Sequence, residues 1–342
     1  MYLELLSNLP GVSGDEGAVR RAIVDLLTGE DAPDPPLTIR TDTLGNLLVH
    51  KQGRHRGPRI MLAAHMDEVG LMVTAIKESG QLQFKPVGGI DPRVLVSKVV
   101  KVGEQLIPGV IGSKAIHLQK REERKKPYTL EQLYLDIGAG GKEEALELVK
   151  PGDYASFDTA LVPLGDGYVR GKAFDDRAGC AVLVELLLME SELSFDAAFT
   201  VQEEVGSRGA AVAAYSLQPE LALVIEGTMA SDTPGTAPDF TITRLGHGPA
   251  LSFMDRSFIA DRRLWQQLIT VAEERGLPYQ HRRFAGGGTD AGAVALSREG
   301  VKTAVVAVPC RYIHTPHSVM KISDLKNTVS LIKAWFESGV RI

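Results

Sequence analysis

Four apolar runs in this chain stop abruptly at acidic or imidazole side chains, and those endings are where chemistry is to be sought. RIMLAAHMD delivers His65 and Asp67, FTVQEEVGSRGA delivers Glu203 and Glu204, and LALVIEGT carries Glu226 to its end. AVVAVPCRYIHTPH ends with two candidates, His314 and His317. FDDRAG sets Asp175 and Asp176 just ahead of an apolar helix, where one aspartate serves as an N-cap and the second is left for another role. In extended chain His65 and Asp67 project to the same side, so Asp67 can accept the second N–H of His65 and fix its tautomer. Neighbouring Glu203 and Glu204 point to opposite sides of a strand. One of them could then ligate a metal while the other acts as a general base.

His65, Asp175, Glu204, Glu226 and His314 make two imidazoles and three carboxylates, a mixed N/O set that suits two borderline divalent ions, zinc or cobalt first and manganese also. Three carboxylates cancel three of the four positive charges, and a hydroxide would cancel the last. Glu203 is left over to move protons. Each residue alone also has a plain reading: a structural histidine, a helix cap, an exposed pair of glutamates. Other chemistries fail on spacing. In GDGYVRGKA, Asp166 stands where a phosphate-binding loop needs its first glycine and Ala173 where it needs Ser or Thr; GGGTDAGA lacks a dinucleotide fingerprint. Neither GSRG nor GVSG is a serine-hydrolase elbow, and Cys180 sits mid-helix on an apolar face.

The elements that must position these groups come in two textures. A length of 342 residues suggests two domains, and 44% hydrophobic with 24% charged residues is the composition of a globular protein. Residues 1–27 hold two helical patterns separated by PGVSGD, where Ser13 and Asp15 can cap the second; LTIRTDTLGNLLVHKQG reads as a hairpin. From about 70 to 165 short alternating runs punctuated by Gly and Pro predict a small β-barrel. Within it QKREERKKPYTLEQ is charge-dense, a solvated loop or else a substrate or partner contact. From 170 the α/β texture returns, so the expected layout is one α/β domain, 1–69 with 166–342, interrupted by the barrel at 70–165.

Composition narrows the setting. Against 43 Asp plus Glu there are 38 Lys plus Arg, a net charge of −5, so neither nucleic acid nor an anionic membrane is expected as main partner. Two cysteines, Cys180 and Cys310, exclude a disulfide framework or a Cys-rich zinc module and fit a reducing compartment. No basic segment precedes an apolar stretch at the N-terminus, so no secretory signal is expected. AGCAVLVELLLM is too short to span a bilayer, contains Glu185 and reads as a buried helix. A cytoplasmic, soluble chain is the expectation.

Nine blocks in order, PGVSGDE, AAHMDEVG, PGVIGSKAIH, LYLDIGAGG, GKAFDDRAGC, QEEVGSRGA, IEGTMASDTPG, GGGTDAGA and RYIHTPHS, resemble the tetrahedral (TET) and glutamyl aminopeptidases, cocatalytic metallopeptidases some of whose members were once labelled endoglucanases. The resemblance implies His65, Asp175 and Glu226 on one metal and Asp175, Glu204 and His314 on the other, with Asp175 as bridge, Glu203 as general base and Asp67 supporting His65. Many members have Asp where this chain has Glu226, and the commoner form of RYIHTPHS lacks the second histidine; the match to RYIH favours His314 over His317. It further implies a zinc-peptidase-like α/β fold with a mixed sheet, a barrel that helps build dimers and often a hollow dodecamer, and release of N-terminal residues from short peptides. The rival readings are a deacylase or other amidohydrolase on the same scaffold and an endoglucanase. The latter needs carboxylates ~5–9.5 Å apart across the bond and no metal. Arg93, Arg208, Arg244, Arg256 and Arg311 lie in or near the blocks and either hold an acidic substrate side chain or make structural ion pairs.

Overall fold

The computed structural model describes residues 2–55, 57–283 and 286–340. Helices α1 (Tyr2–Asn8) and α2 (Gly17–Thr28) lead into the hairpin β1 (Thr38–Thr41) and β2 (Leu47–Lys51), and then strand β3 (Ile60–His65). There follow β4 (Gly70–Ile76), β5 (Leu82–Val87), β6 (Val99–Val102), β7 (Ile107–Ser113), β8 (Leu133–Asp136), helix α3 (Lys142–Leu148) and β9 (Tyr154–Phe157). The chain continues through β10 (Val162–Pro163), β11 (Tyr168–Gly171), α4 (Phe174–Leu188), β12 (Phe195–Thr200), α5 (Arg208–Leu217) and β13 (Leu221–Met229). It ends with β14 (Ala250–Ser252), α6 (Arg262–Arg275), β15 (Gln280–His281), α7 (Asp290–Ala295), β16 (Lys302–Arg311), β17 (Ser318–Lys321) and α8 (Ile322–Glu337).

Strands β4 to β9 close an antiparallel barrel in the order β4-β5-β8-β7-β6-β9, filled by Leu71, Val73, Phe84, Val100, Ile111 and Leu135. The remaining strands form one mixed sheet, β1-β2-β12-β3-β13-β16-β17-β11-β10, with β14 and β15 attached beside β16. At its centre β12, β3, β13 and β16 run parallel. Alternation divides the side chains of these strands between two layers. Ile60, Leu62, Leu223, Ile225 and Val306 pack with α4, α6 and α8, whereas Met61, Ala63, Ala222 and Val305 meet the alanine-rich α5 and α7. Helix α4 is apolar nearly all round because the sheet and α1 and α8 enclose it, as its sequence suggests. The charge-dense stretch 119–132 lies outside the barrel strands, mostly exposed, with local pairs such as Lys125–Glu122 at 3.3 Å.

Several local expectations are corrected. Helix α2 starts after Glu16 without a side-chain cap, because Ser13 instead donates to Asp67. Strand β12 stops at Thr200, so Glu203 and Glu204 stand on the turn beyond it. Glu226 is inside β13, which runs on to Met229 by pairing with β16, although its pairing with β3 ends at Val224↔Ala63. On its other side β3 stays paired with β12 as far as Thr200↔His65. The separation of β13 from β3 opens a crevice at the carboxyl ends of the parallel strands, the place where open α/β sheets put their ligands.

Candidate metal centre

Two carboxylates that are adjacent in sequence take different tasks at the start of α4. Asp175 and Asp176 have non-helical backbone angles, so the regular helix begins after them. Asp176 is the cap: its Oδ1 accepts the N–H of Gly179 at 2.9 Å, and its Oδ2 accepts the backbone N–H of His65 at 3.2 Å. Asp175 is turned the other way, into the crevice, against the backbone of β13. A Cβ at Gly227 would come within 2.8 Å of Asp175 Cβ, so only glycine allows that approach.

Asp175 faces a histidine with each oxygen. Oδ1 lies 3.4 Å from His65 Nε2, which is also 3.5 Å from Glu226 Oε2. Oδ2 lies 3.4 Å from His314 Nε2, which is 3.2 Å from Glu204 Oε1. The donor atoms of His65, Asp175 and Glu226, and those of Asp175, Glu204 and His314, each converge within 4.8 Å. Separations near 3.4 Å are about the edge of a tetrahedron whose centre is ~2.1 Å from each donor, the bond length of a small divalent ion to N and O. Both imidazoles present Nε2 because Nδ1 is tied to a backbone carbonyl, Asp67 O at 3.1 Å for His65 and Gly89 O at 3.0 Å for His314.

The electrostatics match a cation in each trio. Burial raises the pKa of Glu204 and Glu226, and each is raised further by the charge of Asp175. Burial disfavours the charge on His314, yet hydrogen bonds to Asp175 and Glu204 push its pKa up to about 11. Carboxylates and imidazoles that hold protons this firmly surround positions of strong negative potential, and a divalent ion can replace those protons.

Asp67 does its work differently from the expectation. Its carboxylate lies 3.5 Å from His65 Nδ1 and instead accepts the backbone N–H groups of Glu203 and Glu204 at 3.0 and 3.1 Å, and the Ser13 hydroxyl at 2.6 Å. The effect is to clamp the turn after β12. That turn contains Gln202 at φ +57°, whose N–H is accepted by Glu16 Oε1 at 3.1 Å. Ala173, Ser207, Tyr312 and His314 also have positive φ, so backbone strain gathers around the crevice. Glu203 belongs to neither trio: its Oε2 is 4.0 Å from His65 Nε2 and its Oε1 accepts from Ser207 at 3.3 Å.

Some contributors escape a reading of strand endings. Asp290, in GGGTDAGA, is fully buried; its N–H donates to Glu226 Oε1 at 3.3 Å and its Oδ2 accepts from Thr200 at 2.6 Å. Buried Glu68, Lys172 and Arg177 form an ion cluster, in which Lys172 and Arg177 both donate to Leu9 O and Arg177 to Met66 O. The signal was present in AAHMDEVG and GKAFDDRAGC, which place these charges beside the ligand candidates. His317 stands apart, facing Arg170 at 3.0 Å. Of the arginines, Arg93 pairs with Asp91, Arg311 forks onto Asp232, and Arg208 donates to Gln202 at 3.2 Å.

A cavity of about 630 Å³ opens beside both trios, lined by Glu203, Glu204, Glu226 and His314. A separate cleft of about 410 Å³, with Arg54, Glu192 and Lys333 in its wall, contains none of them. The sequence matches the family model of M42 glutamyl aminopeptidases over residues 45–331. It is 32% identical to the lysyl aminopeptidase of Pyrococcus furiosus across 96% of this chain and 94% of that protein, and 32% identical to the glutamyl aminopeptidase of Lactococcus lactis across 97% and 94%. Among solved structures it resembles the TET1 peptidase of Pyrococcus horikoshii, described as assembling into a tetrahedron or an octahedral shell, with TM-score 0.85 and 36% identity over 98% of each chain. Because the match runs through the barrel, the sheet and every residue from His65 to His314, the chain belongs to the M42 glutamyl aminopeptidase family and is a peptidase.

Proposed function

We propose that this peptidase is a di-metal aminopeptidase that removes the first residue of short peptides. The observation that carries it is the sharing of Asp175 between two ligand trios, with Glu203 unassigned in the same cavity. The family is one of metal-dependent peptidases, and the donor set fits two zinc or cobalt ions, with manganese also compatible. Such ions supply Lewis-acid chemistry, polarising the scissile carbonyl and lowering the pKa of water.

The chain supplies the rest. His65, Asp175 and Glu226 would hold one ion; Asp175, Glu204 and His314 would hold the other. Glu203 removes a proton from the attacking water and returns it to the leaving amine. Ser207 orients its carboxylate, and Asp67 holds its backbone in place. The acidic end of the cavity receives the free α-amino group, which restricts cleavage to the first residue. The barrel, residues 70–165, is the assembly module of a homo-oligomer built from dimers, up to a dodecamer, as in the tetrahedral relative. The chain works in the cytoplasm. No helix among the described residues is long and apolar enough to cross a membrane.

Glu203→Gln tests the base: two metals stay bound, by elemental analysis, while kcat falls about 10²- to 10⁴-fold. Wild-type turnover in that variant removes Glu203 from its role. A panel of free-amine and N-acylated substrates on metal-stripped, reconstituted enzyme separates the aminopeptidase from the amidohydrolase reading, since a deacylase turns over the blocked compounds. An endoglucanase reading leaves the imidazoles of His65 and His314, one in each trio, without a task.

A further inference from the structure

A buried carboxylate close to the proposed base belongs to neither ligand trio. Asp290 opens α7 and is fully enclosed. Its backbone N–H donates to Glu226 Oε1 at 3.3 Å, on β13. Its Oδ2 accepts the Thr200 hydroxyl at 2.6 Å, at the end of β12 where Thr200 pairs with His65. Oδ1 is buried with no hydrogen-bond partner, although a carboxylate oxygen takes donors on both lone pairs. The neighbouring Thr289 hydroxyl is spent on Asp255 Oδ2 at 2.9 Å. Ser207, just ahead of α5, supplies the second hydroxyl that acts on Asp290. Burial raises the Asp290 pKa to about 6, and the charge of His65 and the hydroxyls of Thr200 and Ser207 work against that rise.

In the structure the Ser207 hydroxyl is turned the other way, onto Glu203 Oε1 at 3.3 Å. Its backbone is held at φ +50°, with the N–H donated to Glu203 O at 2.9 Å, so a strained turn keeps Ser207 in register with the base. A serine has one proton to donate, and two carboxylates compete for it. While Glu203 is anionic it takes that proton. Once Glu203 carries the proton of the attacking water it can itself donate to Ser207 Oγ, and the serine hydroxyl is free to rotate to Asp290. When Glu203 passes its proton to the leaving amine the rotation reverses, so Ser207 and Asp290 end as they began. We propose that Asp290 is a positioning residue for Glu203: through Ser207 it accepts the hydrogen bond that the base releases, and so supports the base between attack of water and departure of the amine. This rests on the aminopeptidase reading and adds the partners that stand behind its base.

The test is a double-mutant cycle on metal-reconstituted enzyme, read as kcat, KM and ions per chain with a free-amine anilide. In Asp290→Asn the amide oxygen keeps the Thr200 bond, while the NH2 group set toward Ser207 cannot accept. Asp290→Asn and Ser207→Ala are each expected to lower kcat about 10-fold, with KM within about twofold and both ions retained. The double variant should fall no further than the worse single one, because the two side chains act as a unit. Thr200→Val removes the other hydroxyl on Asp290 and leaves Ser207 alone; it should cost less than about threefold. Losses that multiply to about 100-fold in the double variant overturn the assignment. If Thr200→Val reproduces Asp290→Asn, Asp290 is only an anchor for β12, and if Asp290→Asn loses an ion, it serves Glu226 instead; either result overturns it. Unchanged kcat in Ser207→Ala does so by itself, even where Asp290→Asn yields no folded enzyme. No release from any free-amine substrate by the unaltered enzyme brings down the function reading, and this inference with it.

Discussion

The two halves of the site are built from the same residue types in different ways. The inner trio comes from the sheet: His65 ends β3, Glu226 lies within β13, and their side chains are 1% and 5% exposed. The outer trio comes from turns: Glu204 follows β12, and His314 follows β16 with a side chain 37% exposed. His314 is also oriented from another body, since the carbonyl it donates to belongs to Gly89 in the segment after barrel strand β5. Strand-borne ligand candidates inherit the rigidity of the core, whereas turn-borne ones depend on clamps, here Asp67 on Glu204 and Gly89 on His314. The outer position is therefore the one that opens to solvent and the one that the barrel can influence.

The most severe way to break this contrast is to remove what the halves share. Asp175→Ala is expected to lose both ions, by elemental analysis, and to reduce turnover more than about 10³-fold, because ligands acting as a unit fail together. Retention of one tightly held ion would show that the trios are independent. Next in size, His65→Ala and His314→Ala should each leave about one ion per chain. The difference should appear under chelation: the ion left in His314→Ala resists EDTA, while the one left in His65→Ala exchanges quickly. Equal rates would sink the distinction between inner and outer positions.

Asp67→Asn tests the clamp on the outer half. An amide keeps one acceptor oxygen but sets an NH2 group against the second N–H, so kcat/KM should fall roughly 10- to 100-fold with folding intact. Unchanged kinetics would mean that the backbone of Glu203 and Glu204 needs no such support. The smallest effect is asked of two neighbouring glycines. A Cβ at Gly88, where φ is +82°, would come within 2.8 Å of Val69 Cγ1 and 3.3 Å of Glu204 Cβ, whereas at Gly89 the nearest atom is His314 Nδ1 at 3.6 Å. Gly88→Ala should cost ~1–3 kcal/mol in denaturant unfolding and weaken the outer ion; Gly89→Ala should stay within about 0.5 kcal/mol. Equal behaviour of the two would deny that the barrel segment presses on the outer half.

Much of the frame is legible in the sequence. The barrel and the α/β sheet differ in texture because one is antiparallel with alternating faces and the other has parallel strands buried on both sides. Buried strands followed by charges marked His65, Glu203, Glu204 and His314, even though β12 stops short of its glutamates and β13 runs past Glu226. Ser13 was misread because a local pattern favours a helix cap, while its partner is 54 positions away.

The chain's own order of residues determined the kinds of donor available, their placement after apolar strands, the two textures and the absence of a thiolate alternative. These follow from local patterning, which is written in neighbouring residues. The fold alone decided between near-equals. It made Asp176 a cap and Asp175 the shared ligand candidate, turned His314 toward the crevice and His317 toward Arg170, and set Glu204 against His314 while leaving Glu203 in the cavity outside both trios. Each choice depends on a partner distant in sequence, such as the His65 backbone 111 positions from Asp176 or Gly89 at 225 from His314, and no local pattern specifies contacts of that range.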